Sequence, residues 1–122
     1  MSRIFVSLAL VIVIFIGAAA AARGIGTQSD RISEALERIE DAQGEALQGE
    51  YETLKTSWKS AEKLFYVWFP HGETDALHEN IVLIGYYIEE ADLLRLRAEC
   101  EKARGRVENF RASEKISLQN VF

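Results

Sequence analysis

The sequence predicts an all-α protein in which an N-terminal transmembrane helix is followed by an antiparallel four-helix bundle. The bundle would consist of two helical hairpins, in an up-down or tetratricopeptide-like arrangement. Three observations support this fold class. The nineteen residues from Ile4 to Ala22 carry no charge. Downstream, apolar residues recur at alternating steps of three and four, the spacing of helices that pack on other helices. The chain has one proline and no strand-like alternation of apolar and polar residues.

The uncharged run is long enough to cross a bilayer. At ~1.5 Å per residue it forms a helix ~28 Å long, close to the ~30 Å thickness of the hydrocarbon core. We expect residues 1–23 to be a transmembrane anchor whose short N-terminus stays in the cytoplasm. A cleaved signal peptide is the alternative, because the alanine run offers cleavage sites such as Ala20-Ala21-Ala22. Either interpretation places the rest of the chain outside the cytoplasm.

The first hairpin of the bundle is predicted after a short linker. The glycines of residues 24–28 suggest that linker, and Thr27 with Asp30 resembles a capping box that starts a helix. The bundle itself is predicted over residues 29–112. Its first helix covers roughly residues 28–43 and its second roughly residues 50–69, where Pro70 ends it.

The second hairpin is predicted over residues 74–91 and 92–110, with residues 113–122 as a tail that packs on the bundle or on a partner. The apolar stripes of these two helices are out of phase around Ala91 to Leu93. Asp92 is a good residue to cap a new helix, so we expect a break there. One unbroken helix over residues 75–111 is the alternative.

Charge and cysteine content exclude several classes of function. Without Arg3, residues 23–122 carry 13 basic and 19 acidic side chains, a net charge of −6. A surface of that sign repels phosphate backbones and anionic headgroups, so no nucleic-acid partner is expected. The single cysteine, Cys100, rules out an intrachain disulfide and falls on an apolar stripe, where a buried small hydrophobe is expected.

The stretch WFPHGETDALHEN, residues 68–80, collects residue types that can bind metals or transfer protons. His71, Asp75 and His78 are the candidate metal ligands, because a carboxylate three residues before a histidine shares its helix face. We favour a structural turn, in which Pro70 and Gly72 reverse the chain and acidic residues favour the helix N-terminus. Neither a cofactor nor a catalytic residue is expected.

Two apolar segments are candidates for binding a partner. If the helices run up and down, the end of the second helix and the C-terminal tail both return to the level of the anchor. We therefore predict that the side chains at these two places either fill the end of the bundle or bind an integral-membrane partner. The candidate residues are Phe65, Trp68, Phe69, Leu118, Val121 and Phe122.

Several of these motifs resemble domain-of-unknown-function family 4363. They are the turn HGETD, the heptad-spaced Trp58 and Phe65, and the ending SLQNVF. The family consists of uncharacterised proteins of Gram-positive, often spore-forming bacteria. The resemblance implies an N-terminal membrane segment followed by an acidic helical region. This chain departs from the family pattern at Phe65, where a tryptophan is expected, and at Pro70, where an acidic residue is common.

These observations predict a membrane-anchored, extracytoplasmic binding or accessory protein without catalytic activity, tethered beside an integral-membrane partner. The alternative is an extracytoplasmic sensor or binding domain for a metal ion or small ligand at the turn formed by His71, Asp75 and His78.

Overall fold

The computed structural model describes the backbone of residues 2–121 and the side chains of residues 2–114. Four α-helices follow one another: α1 (Ser2–Asp41), α2 (Ala46–Trp68), α3 (His71–Glu89) and α4 (Leu93–Val121). No strand occurs in residues 2–121. The predicted all-α class, with a long apolar N-terminal helix leading into a bundle, is confirmed.

Helix α1 joins the apolar run and the first bundle helix into one helix of 40 residues. The linker predicted at residues 24–28 and the helix start predicted at Thr27 are therefore replaced by continuous helix. Packing explains the difference, because Ile25 is buried within this segment and Ser29 is buried directly after it. Gly24 has a packing role as well, since a Cβ atom built on it would lie 3.2 Å from Leu64 Cδ2.

The four helices form a square, up-down-up-down bundle. Helices α1 and α3 each pack on both α2 and α4, and the rings of Phe65 and Phe110 meet across the diagonal between α2 and α4. The apolar stripes predicted from the sequence supply most of the core. The buried apolar side chains are Ile25, Ile32, Ala35, Leu36, Ile39, Leu47, Leu54, Trp58, Ala61, Phe65, Leu77, Ile81, Ile84, Leu96, Cys100, Ala103, Val107 and Phe110.

The predicted break between the last two helices is confirmed. Ala91 has a φ of 54°, a left-handed conformation that cannot continue an α-helix. The Asp92 carboxylate accepts a hydrogen bond from the backbone N–H of Arg95 at 3.2 Å, which caps the new helix as predicted. Helix α4 then runs past the predicted end near Phe110, because no proline or glycine follows to stop it.

Gly85 allows α2 and α3 to approach closely. A Cβ atom at Gly85 would lie 2.5 Å from Cζ and 2.7 Å from Cε2 of Tyr51. The Tyr51 hydroxyl donates a hydrogen bond to the carbonyl of Ile81 at 3.2 Å. Gly105 in α4 provides a contrast, since a Cβ atom there would meet nothing within 4 Å.

We therefore expect alanine to have opposite effects at these two glycines. Gly105→Ala should raise the free energy of unfolding by up to about 1 kcal/mol, through helix propensity alone. Gly85→Ala should lower the free energy of unfolding, because Tyr51 must leave its site and lose a hydrogen bond worth about 1 kcal/mol. Chemical denaturation of both variants in the same detergent measures the difference, and an equal rise in both would contradict it.

Candidate functional site

The N-terminal half of α1 exposes a continuous apolar surface. We call residues 4–22 the apolar segment. Its large side chains from Ile4 to Ile16 are between 41% and 72% exposed. Among the described residues, α1 is the one helix long and apolar enough to cross a membrane, and the bundle buries none of its most apolar stretch. A surface of this kind needs lipid or another protein to cover it.

The end of α2, residues 65–69, divides into a buried face and an exposed face. We call it the aromatic end. Phe65 is fully buried, with ring centroids 5.8 Å from Trp58 and 5.4 Å from Phe110. Phe69 is partly buried, and its ring lies 4.4 Å from that of Phe110. These two phenylalanines therefore close the end of the bundle.

The exposed face of the aromatic end carries Val67 and Trp68, which are 79% and 49% exposed. Of the three aromatic residues predicted to bind a partner, only Trp68 has this exposure. Phe65 is excluded as a surface residue because the core encloses it completely. Sequence reasoning did not single out Val67, since it lies off the apolar stripe. The other three candidates, Leu118, Val121 and Phe122, lie outside the residues whose side chains are described.

Two contacts fix the height of the bundle along α1. Leu64, near the end of α2, packs against Gly24. On the other side, the Arg111 guanidinium of α4 forms an ion pair with Asp30. Both α2 and α4 run antiparallel to α1, so their C-terminal ends approach the apolar segment. The predicted return of these ends to the level of the apolar segment agrees with both contacts.

The polar side chains at and after the turn between α2 and α3 contact aromatic residues of α2. The indole N–H of Trp58 donates to Nδ1 of His78 at 2.9 Å. The hydroxyl of Tyr66 donates to the Asp75 carboxylate, and this hydrogen bond, followed by desolvation, raises the pKa of Tyr66 to about 12. The ring of His71 stands edge-on to that of Tyr66, with 5.5 Å between centroids.

Two of the three proposed metal ligands already have hydrogen-bond partners in the bundle. Asp75 is held by Tyr66, and His78 uses one ring nitrogen to accept from Trp58. In the described part of the chain, no group of three or more His, Cys, Asp or Glu side chains could hold a metal ion. The geometry supports a structural role for this turn, because its side chains form hydrogen bonds between α2 and α3.

A buried polar network joins α3 to α4. The Asn80 amide donates to the Glu99 carboxylate at 2.7 Å, and both residues are 7% exposed. Arg106 Nε donates to the Asn80 carbonyl oxygen at 2.9 Å, and the Lys102 ammonium lies 3.4 Å from Glu99. Because a buried carboxylate needs such partners, the network favours one register of α3 on α4. Sequence reasoning missed this network, because its only signal is polar residues near an apolar stripe.

Cys100 is fully buried, as the sequence predicts. Burial, with a further contribution from Glu40, raises the pKa of its thiol from 9.0 to about 12. The thiolate is the reactive form of cysteine, so this side chain is poorly suited to nucleophilic or redox chemistry.

We expect iodoacetamide to alkylate Cys100 far more slowly in the folded protein than in the unfolded chain. At pH 8 the thiolate fraction should fall from about one in ten to about one in ten thousand. The raised pKa also favours folding below pH 9, and that contribution is lost as the pH rises toward 12. Intact-mass measurements with and without denaturant test the expectation, and equal alkylation rates would contradict it.

The fold and its exposed surface define a class of protein: a four-helix bundle whose first helix extends outward as a bare apolar segment. The sequence model of a family described as "Domain of unknown function (DUF4363)" matches residues 24–121. The chain belongs to this family, as its motifs indicated. The match begins just after the apolar segment and covers the bundle. No curated protein and no solved structure matches the chain.

Proposed function

We propose that the protein is a membrane-anchored, extracytoplasmic accessory subunit that binds an integral-membrane partner and has no catalytic activity. The exposed apolar segment, which continues without interruption into the bundle, carries this proposal. A helix with this length and surface is stable in a bilayer, where lipid chains cover its side chains. The partner is then a protein of the same membrane.

The continuous helix gives the anchor a mechanical role in addition to retention. Residues 24–28 form helix rather than a flexible linker, so the bundle is fixed to the membrane-spanning part at a set height. Confinement to the membrane plane raises the effective concentration of the bundle near a membrane partner. Because the anchor also restricts the orientation of the bundle, less entropy is lost when the partner binds.

In the proposed orientation the bundle lies on the extracytoplasmic side of the membrane. Residues 23–122, with their net charge of −6, are suited to a partner surface of positive or neutral charge rather than to anionic lipid. Cleavage in the alanine run would release the bundle with its core residues, from Ile25 onward, intact.

Crosslinking and affinity capture of the full-length protein from native membranes tests the proposal. A matched control replaces residues 4–22 by an unrelated apolar helix of equal length. We expect the same integral-membrane protein to be captured repeatedly with the natural chain. Failure to capture any membrane protein reproducibly above the background of a bait-free membrane would contradict the accessory role. Loss of capture with the control would show that the apolar segment itself contacts the partner.

A second experiment tests the C-terminal residues as part of the partner surface. Deleting Val121 and Phe122 should abolish capture of the partner and leave helicity unchanged if their side chains bind the partner and not the bundle. Circular dichroism and the capture yield are measured on the same preparation. Unfolding on deletion would instead assign the two residues to the bundle.

A further inference from the structure

We propose that Val67 and Trp68 form a second membrane contact, resting in the interfacial layer of the bilayer that α1 crosses. This inference rests on the proposed function, in that it requires the apolar segment to span a membrane. It adds a lipid-binding surface on the bundle itself. The surface is distinct from the anchor, because it belongs to the C-terminal end of α2.

The height of Trp68 follows from the packing of α2 against α1. Leu64 contacts Gly24, and the two helices are antiparallel. Four residues further along α2, Trp68 lies about 6 Å closer to the N-terminal end of α1. That position is level with Ala20, inside the uncharged run that ends at Ala22. A membrane that covers this run therefore reaches Trp68.

Charged residues stop at a common height on all four helices. Arg23 is the first charge after the apolar segment of α1, and Lys63 is the last charge of α2. Glu73 lies in the first turn of α3, close to the same level. On α4 the last charged side chain in the sequence is that of Lys115, about 6 Å beyond Arg111 along the helix, and the backbone stays helical to Val121. These positions define a plane across the end of the bundle.

Val67 and Trp68 have the apolar character and the exposure of residues that contact a membrane interface. The stretch from Leu64 to Pro70 contains no charge. Within it, Phe65 turns into the core, whereas Val67 and Trp68 face outward. Tryptophan favours the boundary between headgroups and acyl chains, where its ring is apolar and its N–H can be solvated. We assign this face to lipid because it is exposed, uncharged and level with the end of the apolar segment.

Fluorescence quenching by brominated lipids tests the assignment on the full-length chain. The Trp58→Phe variant leaves Trp68 as the only tryptophan, and Trp68→Phe leaves Trp58 as a matched control. Trp58 is 3% exposed and lies about 15 Å further from the membrane along α2. Each variant is reconstituted in zwitterionic vesicles whose lipids carry bromine either near the headgroup or near the methyl end of the acyl chains.

We expect Trp68 to be quenched more by bromine near the headgroup than by bromine near the chain end, and Trp58 by neither. No quenching of Trp68 in chains that resist alkaline extraction from the vesicles would overturn the lipid contact and leave the anchor intact. Loss of the chain on alkaline extraction would instead contradict the anchor, and with it the inference. A photocrosslinker at position 68 that captured a protein rather than lipid in native membranes would also overturn it.

If Trp58→Phe disturbs the core, an environment-sensitive dye on Val67→Cys supplies the same measurement, because the native Cys100 is buried and does not compete for the label. A blue-shifted emission that appears only in vesicles supports the contact. Emission typical of water in the presence of vesicles overturns it.

Discussion

Replacing Phe65 by alanine should lower the free energy of unfolding by about 3 to 5 kcal/mol. The ring is fully buried and makes edge-on contacts with Trp58, Phe69 and Phe110. Its removal leaves a cavity that these rigid rings cannot refill, in addition to the lost transfer energy of the side chain. The effect should be largest at the end of the bundle nearest the apolar segment, where amide hydrogen exchange should rise.

Trp68→Ala provides the matched control, because this aromatic residue lies three positions away and is 49% exposed. We expect its free energy of unfolding to stay within about 1 kcal/mol of the natural chain. Denaturant titration of both variants in one detergent gives the comparison. Similar losses at the two positions would mean that the buried and exposed faces of the aromatic end have been assigned incorrectly.

Placing two aspartates at the centre of the apolar segment should remove the protein from membranes. Val13→Asp with Ile14→Asp introduces two charges where each costs roughly 2.5 to 3.5 kcal/mol in membrane insertion. The side chains are 65% and 67% exposed, so the bundle offers them no compensating partner. The fold of the bundle should be unaffected, because its core starts at Ile25.

The double substitution to leucine at the same positions serves as the control, since it keeps the surface apolar. Alkaline extraction of membranes followed by quantification of the chain measures retention. We expect full retention for the leucine variant and little for the aspartate variant. Equal retention of the two would mean that something other than insertion of the apolar segment holds the protein at the membrane.

The helical periodicity of the sequence was sufficient to predict most of the fold. Residues at steps of three and four on α2, such as Leu54, Trp58 and Phe65, are buried because helix geometry places them on one face. Pro70 and Asp92 marked helix boundaries for local reasons that act within one turn. Such signals need no knowledge of the neighbouring helices.

Other features depended on contacts between helices and could not be predicted from local patterns. The glycines at residues 24–28 suggested a linker, but the packing of Leu64 on Gly24 favours helix there. The hydrogen bond from Asn80 to Glu99 joins residues nineteen positions apart on different helices. The exposure of Val67 could be recognised only after the structure showed that Phe65 is buried in the core.

The candidate site shows the same division. The return of the aromatic end toward the apolar segment followed from hairpin topology, which the sequence predicts. The choice between core and surface for each aromatic ring required the position of Phe110 on α4. Likewise, the partners that engage Asp75 and His78 come from α2, and the spacing of residues within α3 could not reveal them.

Labelling of Glu90→Cys with a membrane-impermeant maleimide on intact cells tests the membrane arrangement most directly. Glu90 is exposed in the turn between α3 and α4, at the end of the bundle remote from the apolar segment, and the native Cys100 is buried. We expect the label on intact cells, on chains that remain in the membrane fraction after alkaline extraction. Labelling that appears only after the cells are broken, or a chain recovered entirely from the cytosol, would contradict an extracytoplasmic bundle held by α1.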